Sequence, residues 1–274
     1  MIHSIDHLSI ATPDLEGTAR DYEVLLGRKP DGAIAAEGAR QVWFSTANLR
    51  LALIAPAGDG PLGEAARKRL AEKGEGLWEI AFAVDDLAKT TNLFERRALA
   101  PGAEFARSVE ASGATASLRA ARLGAWTSLG IDIVLVEAMR RTGAKGGPAS
   151  MGQLDHVVIR TPDPGRAVEF YGGRLGLDMR LDRTNPAWGA RLIFFRCGDL
   201  VVEIAHELKG GVSDGPDSFG GLSWRANDLA TARERLVEAG FDVSELRIGR
   251  RPGSQVCTLR DHTRGVPTIL LGLT

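Results

Sequence analysis

Residues 5–27 read IDHLSIATPDLEGTARDYEVLLG, and residues 154–176 read LDHVVIRTPDPGRAVEFYGGRLG. In both stretches an Asp-His pair lies inside an apolar run and is followed by a Thr-Pro-Asp turn, a tyrosine and a Leu-Gly pair. All these residues are displaced by one constant offset, the distance along the chain from His7 to His156. A constant long offset indicates two copies of one domain, each beginning with a strand that carries a histidine.

Length and composition are those of a globular protein. The chain has 274 residues, enough for two domains with cores of their own, and 44% of them are apolar and 25% charged. A net charge of −1 argues against nucleic acid or an anionic membrane as the main partner. We find no apolar run that could span a bilayer, no signal-peptide pattern and only two cysteines. These features predict a cytoplasmic protein, and they leave a homodimer open.

A Gly- and Pro-containing segment divides the two copies. Residues 140–150 read RRTGAKGGPAS and show no periodicity, which is typical of a linker. Each half contains two runs of strand, amphipathic helix and further strands, and each helix follows an aspartate that can cap it. The predicted organisation is an N-terminal domain 1–140 with units 1–60 and 75–140, a linker 141–150, and a C-terminal domain 151–274 with units 151–210 and 218–274.

Four such units predict an α+β fold. A single strand-helix-three-strand (βαβββ) unit leaves one face of its sheet bare, so the units must pair to bury it.

The two openings, together with residues 76–87 (GLWEIAFAVDDL), resemble the vicinal oxygen chelate superfamily. This superfamily includes glyoxalase I, bleomycin-resistance proteins, extradiol dioxygenases and methylmalonyl-CoA epimerase. The resemblance covers almost the whole chain and implies that paired units form curved half-barrels. It also implies a divalent metal in the hollow, held by His or Glu from the first and last strands of each unit. Fe, Mn, Ni, Co and Zn are the candidate ions.

The positions that the resemblance marks as metal ligands are half filled. His7, Glu79, His156 and Glu203 can bind a metal, whereas the other four positions cannot, being Ala52, Gly221, approximately Val134 and approximately Ile269. Three or four converging ligands are usual for a tightly bound divalent ion. The resemblance therefore makes the pairing of the units decisive for the site.

Two pairings are open at the level of sequence. If neighbouring units pair, His7 joins Glu79 and His156 joins Glu203. If the second and third units share a hollow, Glu79, His156 and Glu203 come together in a site with one histidine and two carboxylates. We expect Glu203 to act as ligand and catalytic group, because a carboxylate inside the apolar run 201–205 needs a partner.

Each of these residues also has a purely structural interpretation. A histidine on a buried strand is often a hydrogen-bonded core residue, and Glu79 could pair with an arginine across the hollow. Strand alternation places Arg160 and Arg225 on the inner face, where they could clamp a substrate anion or form internal ion pairs. Trp188, in a Gly- and Pro-containing segment, could form a lid over the pocket.

Two functions follow from these patterns. The first is a metal-assisted lyase, isomerase or epimerase that acts on a small carbonyl or carboxylate substrate. The alternatives are a metal-free binding protein of the bleomycin-resistance type or a degenerate extradiol dioxygenase, since Gly221 stands where a dioxygenase needs its second histidine. The tandem form favours an enzyme, with its active site in the C-terminal domain.

Overall fold

The fold was described from a computed structural model, which describes residues 1–111, 113–124, 127–139, 143 and 145–273. Two eight-stranded mixed sheets account for most of it, with strand orders β2-β3-β4-β1-β5-β8-β7-β6 and β10-β11-β12-β9-β13-β16-β15-β14. Part of the predicted linker, residues 141, 142 and 144, lies outside the described residues.

The strands of the first sheet are β1 (Ile2–Ala11), β2 (Gly32–Ala36), β3 (Ala39–Ser45), β4 (Arg50–Pro56), β5 (Gly76–Val84), β6 (Pro101–Ala111), β7 (Ala114–Leu123) and β8 (Asp132–Glu137). Those of the second are β9 (Met151–Arg160), β10 (Asp178–Asn185), β11 (Ala190–Cys197), β12 (Leu200–Glu207), β13 (Ser218–Ala226), β14 (Arg247–Ile248), β15 (Ser254–Leu259) and β16 (Thr268–Leu273). The α-helices are α1 (Leu15–Leu26), α2 (Pro61–Lys73), α3 (Leu87–Arg96), α4 (Pro164–Ala167) and α5 (Leu229–Glu238).

The predicted α+β fold of four βαβββ units is confirmed. Each sheet combines two neighbouring units, with their first strands antiparallel at the centre and each first strand parallel to the last strand of its own unit. The alternative pairing of the second unit with the third does not occur. Glu79 therefore lies in a different sheet from His156 and Glu203, and the three cannot form one site.

The helix of each unit begins at an aspartate, as the sequence predicts. Asp14, Asp86, Asp163 and Asp228 each accept a hydrogen bond from a backbone N–H in the first turn of α1, α3, α4 and α5. Helix α4 of the third unit differs from its counterpart α1, because after one α-helical turn it continues as a π-helix over Val168–Arg174.

The four capped helices lie in one hydrophobic core that contains residues of both sheets. Tyr22 of α1, Phe94 of α3, Tyr171 of the π-helix and Leu236 of α5 all belong to this core. Across the junction Asn48 donates to the carbonyl of Leu154 at 2.8 Å and accepts from its N–H at 3.0 Å. The opposite faces of the two sheets are left to form the hollows.

Helix α2 has no counterpart in the other units and was not predicted. Pro61 occupies its first turn, and Leu62, Ala66 and Leu70 recur at a spacing of four. Leu62 and Ala66 are buried in a second apolar cluster with Trp43, Ile54 and Trp78 of the first sheet. Helix α2 therefore covers the hollow of the first sheet.

Candidate functional site

Both central histidines are held by the aspartate that precedes them. His7 Nδ1 lies 2.7 Å from Asp6 Oδ2, and His156 Nδ1 lies 3.0 Å from Asp155 Oδ2. Each aspartate falls at an irregularity in the register of the central strand pair, a β-bulge that lets two consecutive side chains approach each other. The contact at Nδ1 leaves Nε2 of each histidine directed at a glutamate.

In the first sheet that glutamate is Glu79, and its charge is already neutralised. His7 Nε2 lies 3.8 Å from Glu79 Oε1, which also pairs with the buried guanidinium of Arg107. Arg122 Nη2 contacts Glu79 Oε2 at 2.7 Å. Burial alone would raise the pKa of Glu79, but the two arginines outweigh it and hold that pKa well below its usual range. The alternative of an arginine partner for Glu79 is therefore the one observed.

The first hollow does not fit a divalent metal. Glu79 and His7 are fully buried beneath the side chains of α2 and the β-sheet. A dication at the Glu79 carboxylate would meet two guanidinium groups, which repel it. The two arginines already neutralise the Glu79 carboxylate, as a bound metal ion would.

In the second sheet the corresponding pair is His156 and Glu203, and it is open. His156 Nε2 lies 3.3 Å from Glu203 Oε2, and the two side chains are 19% and 12% exposed. Burial raises the pKa of Glu203, while the neighbouring His156 and Arg250 act against that rise. The pair can therefore hold and exchange a proton in contact with solvent.

The third ligand position of the second sheet is closed by the backbone. Gly221 pairs with Val158 just as Glu79 pairs with Ser9 in the first sheet. A Cβ on Gly221 would lie 2.2 Å from the carbonyl oxygen of Pro267, at a φ of +141°. A side chain at this position is therefore excluded unless the backbone moves.

The donor set of the second hollow does not fit a divalent ion held by protein alone. No group of three or more His, Cys, Asp or Glu side chains converges anywhere in the described part of the chain. His156 and Glu203 supply two donors where three are usual. The four residues predicted as metal ligands thus form two separate pairs, and we derive no chemical step through a metal.

The predicted substrate-binding residues lie at different places around the second hollow. Arg225 pairs with Asp155 and so supports His156 from behind instead of facing a ligand directly. Arg160 is exposed at the opposite end of the central strand pair, next to Ser218. Trp188 lies in a 3₁₀ turn after β10, with its ring against Arg183 and Arg250.

Sequence reasoning missed four residues that define the two hollows. Asp155 could have been found from the repeated Asp-His pair. The three arginines, in contrast, come from strands whose register the sequence does not reveal. The missed residues are Arg107, Arg122, Asp155 and Arg183.

A comparison with protein families agrees with this geometry. The sequence model of the Glyoxalase/Bleomycin resistance protein/Dioxygenase superfamily matches residues 6–115 and 155–258, one match in each half. The chain belongs to this superfamily. The resemblance seen in the sequence is thereby confirmed, and it applies to both halves.

Among curated proteins, the chain is 31% identical over 100 residues to an ethylmalonyl-CoA/methylmalonyl-CoA epimerase of Cereibacter sphaeroides. This match covers 34% of the chain and 75% of the epimerase. The chain is also 32% identical over 63 residues to the mitochondrial methylmalonyl-CoA epimerase of Homo sapiens. This second match covers 23% of the chain and 36% of the human protein.

Two solved structures match the fold over nearly the whole chain. The match to a mutant 4-hydroxymandelate synthase from Streptomyces coelicolor covers 100% of the present chain and 94% of the synthase chain, with a TM-score of 0.73 and 15% identity. The match to the Mn(II)-bound glyoxalase from Novosphingobium aromaticivorans covers 99% of the present chain and 82% of the glyoxalase chain, with a TM-score of 0.64 and 14% identity. At these identities the likeness concerns the fold alone.

No helix among the described residues combines the length and apolar character needed to cross a bilayer.

Proposed function

We propose that the second hollow is the active site and that Glu203, supported by His156, moves a proton on a small oxygenated substrate. The observation that carries the proposal is the contrast between the hollows. The carboxylate of the first is buried and neutralised by two arginines, whereas that of the second is accessible and carries a raised pKa. A carboxylate with a raised pKa beside an imidazole is suited to general acid–base catalysis near neutral pH.

The reaction class is an isomerisation or epimerisation. Ionised Glu203 takes a proton from a carbon next to a carbonyl group, and the electrons of the broken C–H bond move onto the carbonyl oxygen as an enolate. Protonation of that carbon from the other face by water inverts it, and Glu203 then releases its proton to solvent. In an α-hydroxy carbonyl substrate, return of the proton from Glu203 to the former carbonyl carbon, with the hydroxyl proton moving to the enolate oxygen, isomerises the substrate. Asp155 fixes the histidine through Nδ1, so that Nε2 faces Glu203 throughout.

The test is exchange of the substrate proton with solvent. The protein is incubated in D₂O with a panel of carbonyl compounds, including methylmalonyl-CoA and ethylmalonyl-CoA, and deuterium incorporation is followed by NMR. Glu203→Gln is expected to lower the exchange rate by at least 100-fold, within the range usual for loss of a general base. Glu207→Gln, an exposed position on the same strand, serves as the control and should leave the rate unchanged.

Equal exchange by wild-type protein and Glu203→Gln would contradict the proposal. The second candidate is a non-catalytic binding protein, which the two-donor set of the second hollow favours. It predicts saturable ligand binding without exchange for any compound in the panel.

A further inference from the structure

We propose that Arg183, Trp188 and Arg250 form a clasp that binds the anionic group of the substrate at the mouth of the second hollow. This inference deepens the proposed function, on which it rests, by naming the substrate class. The ligand is an organic anion, with a carboxylate or a phosphate at one end and the reacting carbonyl at the other.

The clasp joins the two edges of the second sheet. Arg183 lies in β10 and Trp188 in the turn after it, while Arg250 lies in the turn between β14 and β15. Strands β10 and β14 are the first and last strands in the order of this sheet. Side chains from opposite edges can touch because the sheet curls. The clasp therefore lies across the hollow and not beside it.

In the clasp, two guanidinium cations contact the ring of Trp188. The guanidinium carbon of Arg250 lies 4.5 Å from the centroid of the Trp188 ring, and that of Arg183 lies 4.9 Å from it. Among the described residues, neither guanidinium has a hydrogen bond or ion pair to an acidic side chain. Most other arginines around this sheet have one, as Arg191 does with Asp182 at 2.6 Å. Cation–π contact orients the two groups while leaving their N–H donors free.

Two like charges held close together favour an anion between them. A carboxylate or a phosphate accepts two parallel hydrogen bonds from one guanidinium, and a second guanidinium nearby adds charge attraction. Arg160, also exposed and without an ion pair among the described residues, adds positive charge to the sheet that carries the clasp. The two guanidinium groups of the clasp thus favour a negatively charged ligand.

The clasp acts on the catalytic pair. The charge of Arg250 lowers the pKa of Glu203 against the effect of burial, so the two groups lie within electrostatic range of each other. A substrate anion bound at Arg250 would place the rest of the molecule toward Glu203. Arg250 is therefore a positioning and specificity-determining residue.

A neighbouring arginine provides the matched control. Arg251 follows Arg250 directly and is also exposed, but among the described contacts it has none with the ring of Trp188. Arg250→Ala and Arg251→Ala change the net charge equally, so a difference between them reports the clasp and not the overall charge of the surface.

The experiment is calorimetric titration of the full chain with malonate, with inorganic phosphate and with uncharged malonamide. We expect saturable binding of malonate or phosphate, no binding of malonamide, and at least a tenfold loss of affinity in Arg250→Ala and in Trp188→Ala. Arg251→Ala should bind as wild-type protein does. The tighter of the two anions identifies the preferred headgroup, carboxylate or phosphate.

Two outcomes would overturn the clasp. One is the absence of binding for both anions, and the other is an equal loss of affinity in Arg250→Ala and Arg251→Ala, which would indicate diffuse charge attraction. The two proposals can fail separately. Anion binding without proton exchange contradicts the proposed function alone, whereas Glu203-dependent exchange without anion binding contradicts the clasp alone.

Discussion

At the scale of single residues, the two hollows show that the same repeat has diverged into a structural and an accessible form. Both contain an Asp-His pair and a glutamate near Nε2, but the glutamate comes from β5 in the first and from β12 in the second. The His positions could be predicted from the repeat, and the Glu positions from the resemblance to the superfamily. The partners of Glu79 could not, because Arg107 and Arg122 come from strands whose register depends on the folded sheet.

Glu79→Gln should destabilise the protein by about 3–5 kcal/mol, because it leaves the buried guanidinium of Arg107 without a neutralising charge. Urea denaturation measures this change. The control is Glu104→Gln, whose ion pair with Arg119 is half exposed and therefore adds little to stability. A loss at Glu79 no larger than the loss at Glu104 would contradict the buried ion-pair network.

The same glutamate predicts a pH dependence. Its pKa is lowered in the folded protein, so its stabilising contribution is complete above the ordinary pKa of a glutamate and is lost as the pH falls through the folded value. The difference in unfolding free energy between wild-type protein and Glu79→Gln should therefore shrink as the pH is lowered from 7 through the acid range. A difference that stays constant with pH would show that the pKa of Glu79 is the same in the folded and unfolded states, and would contradict its pairing with the two arginines.

Gly221→His tests whether the third ligand position can be restored. We expect no gain in Zn²⁺ or Mn²⁺ affinity and a clear loss of stability, because the new Cβ would meet the carbonyl of Pro267 at 2.2 Å. Gly210→His is the control, since a Cβ there has no neighbour within 4 Å. Tight metal binding by Gly221→His would show that the backbone adjusts and that the position is open.

At the scale of secondary-structure elements, the strands and helices that contain apolar, buried residues are those that could be predicted from the sequence. The buried central strands and the Asp-capped helices follow from apolar runs and capping residues. Strand β10 is almost entirely exposed, and β14 has only two residues, so neither carries an apolar signal. Helix α2 does carry a sequence signal, in Pro61 and in the spacing of Leu62, Ala66 and Leu70. It could not be predicted from the repeat, because the other units have no counterpart of this helix.

Helix α2 should stabilise the first half-barrel through its apolar face. Leu62→Ala is expected to cost about 2–5 kcal/mol, as is usual for a large side chain removed from a core. Lys68→Ala, on the exposed face of the same helix, should stay within about 0.5 kcal/mol of wild-type protein. Thermal or urea unfolding compares the two, and equal effects would mean that α2 does not seal the hollow.

At the scale of the whole molecule, the repeat predicts four units but not their partners. The sequence leaves two pairings open because both bury the bare faces of the units equally well. The sheet order decides between them and thereby limits each hollow to one histidine and one glutamate of the predicted ligand set. The predicted domain boundaries, a homodimer and a cytoplasmic location stay predictions.

We infer that Glu203 of the second half-barrel works without a bound metal. The most direct measurement is elemental mass spectrometry of protein purified without a chelator and without a metal-binding tag. Two donors among the described residues predict no Fe, Mn, Ni, Co or Zn at a stoichiometric level. About one ion per chain, lost in Glu203→Gln and in His156→Ala, would contradict the claim and make Glu203 a metal ligand.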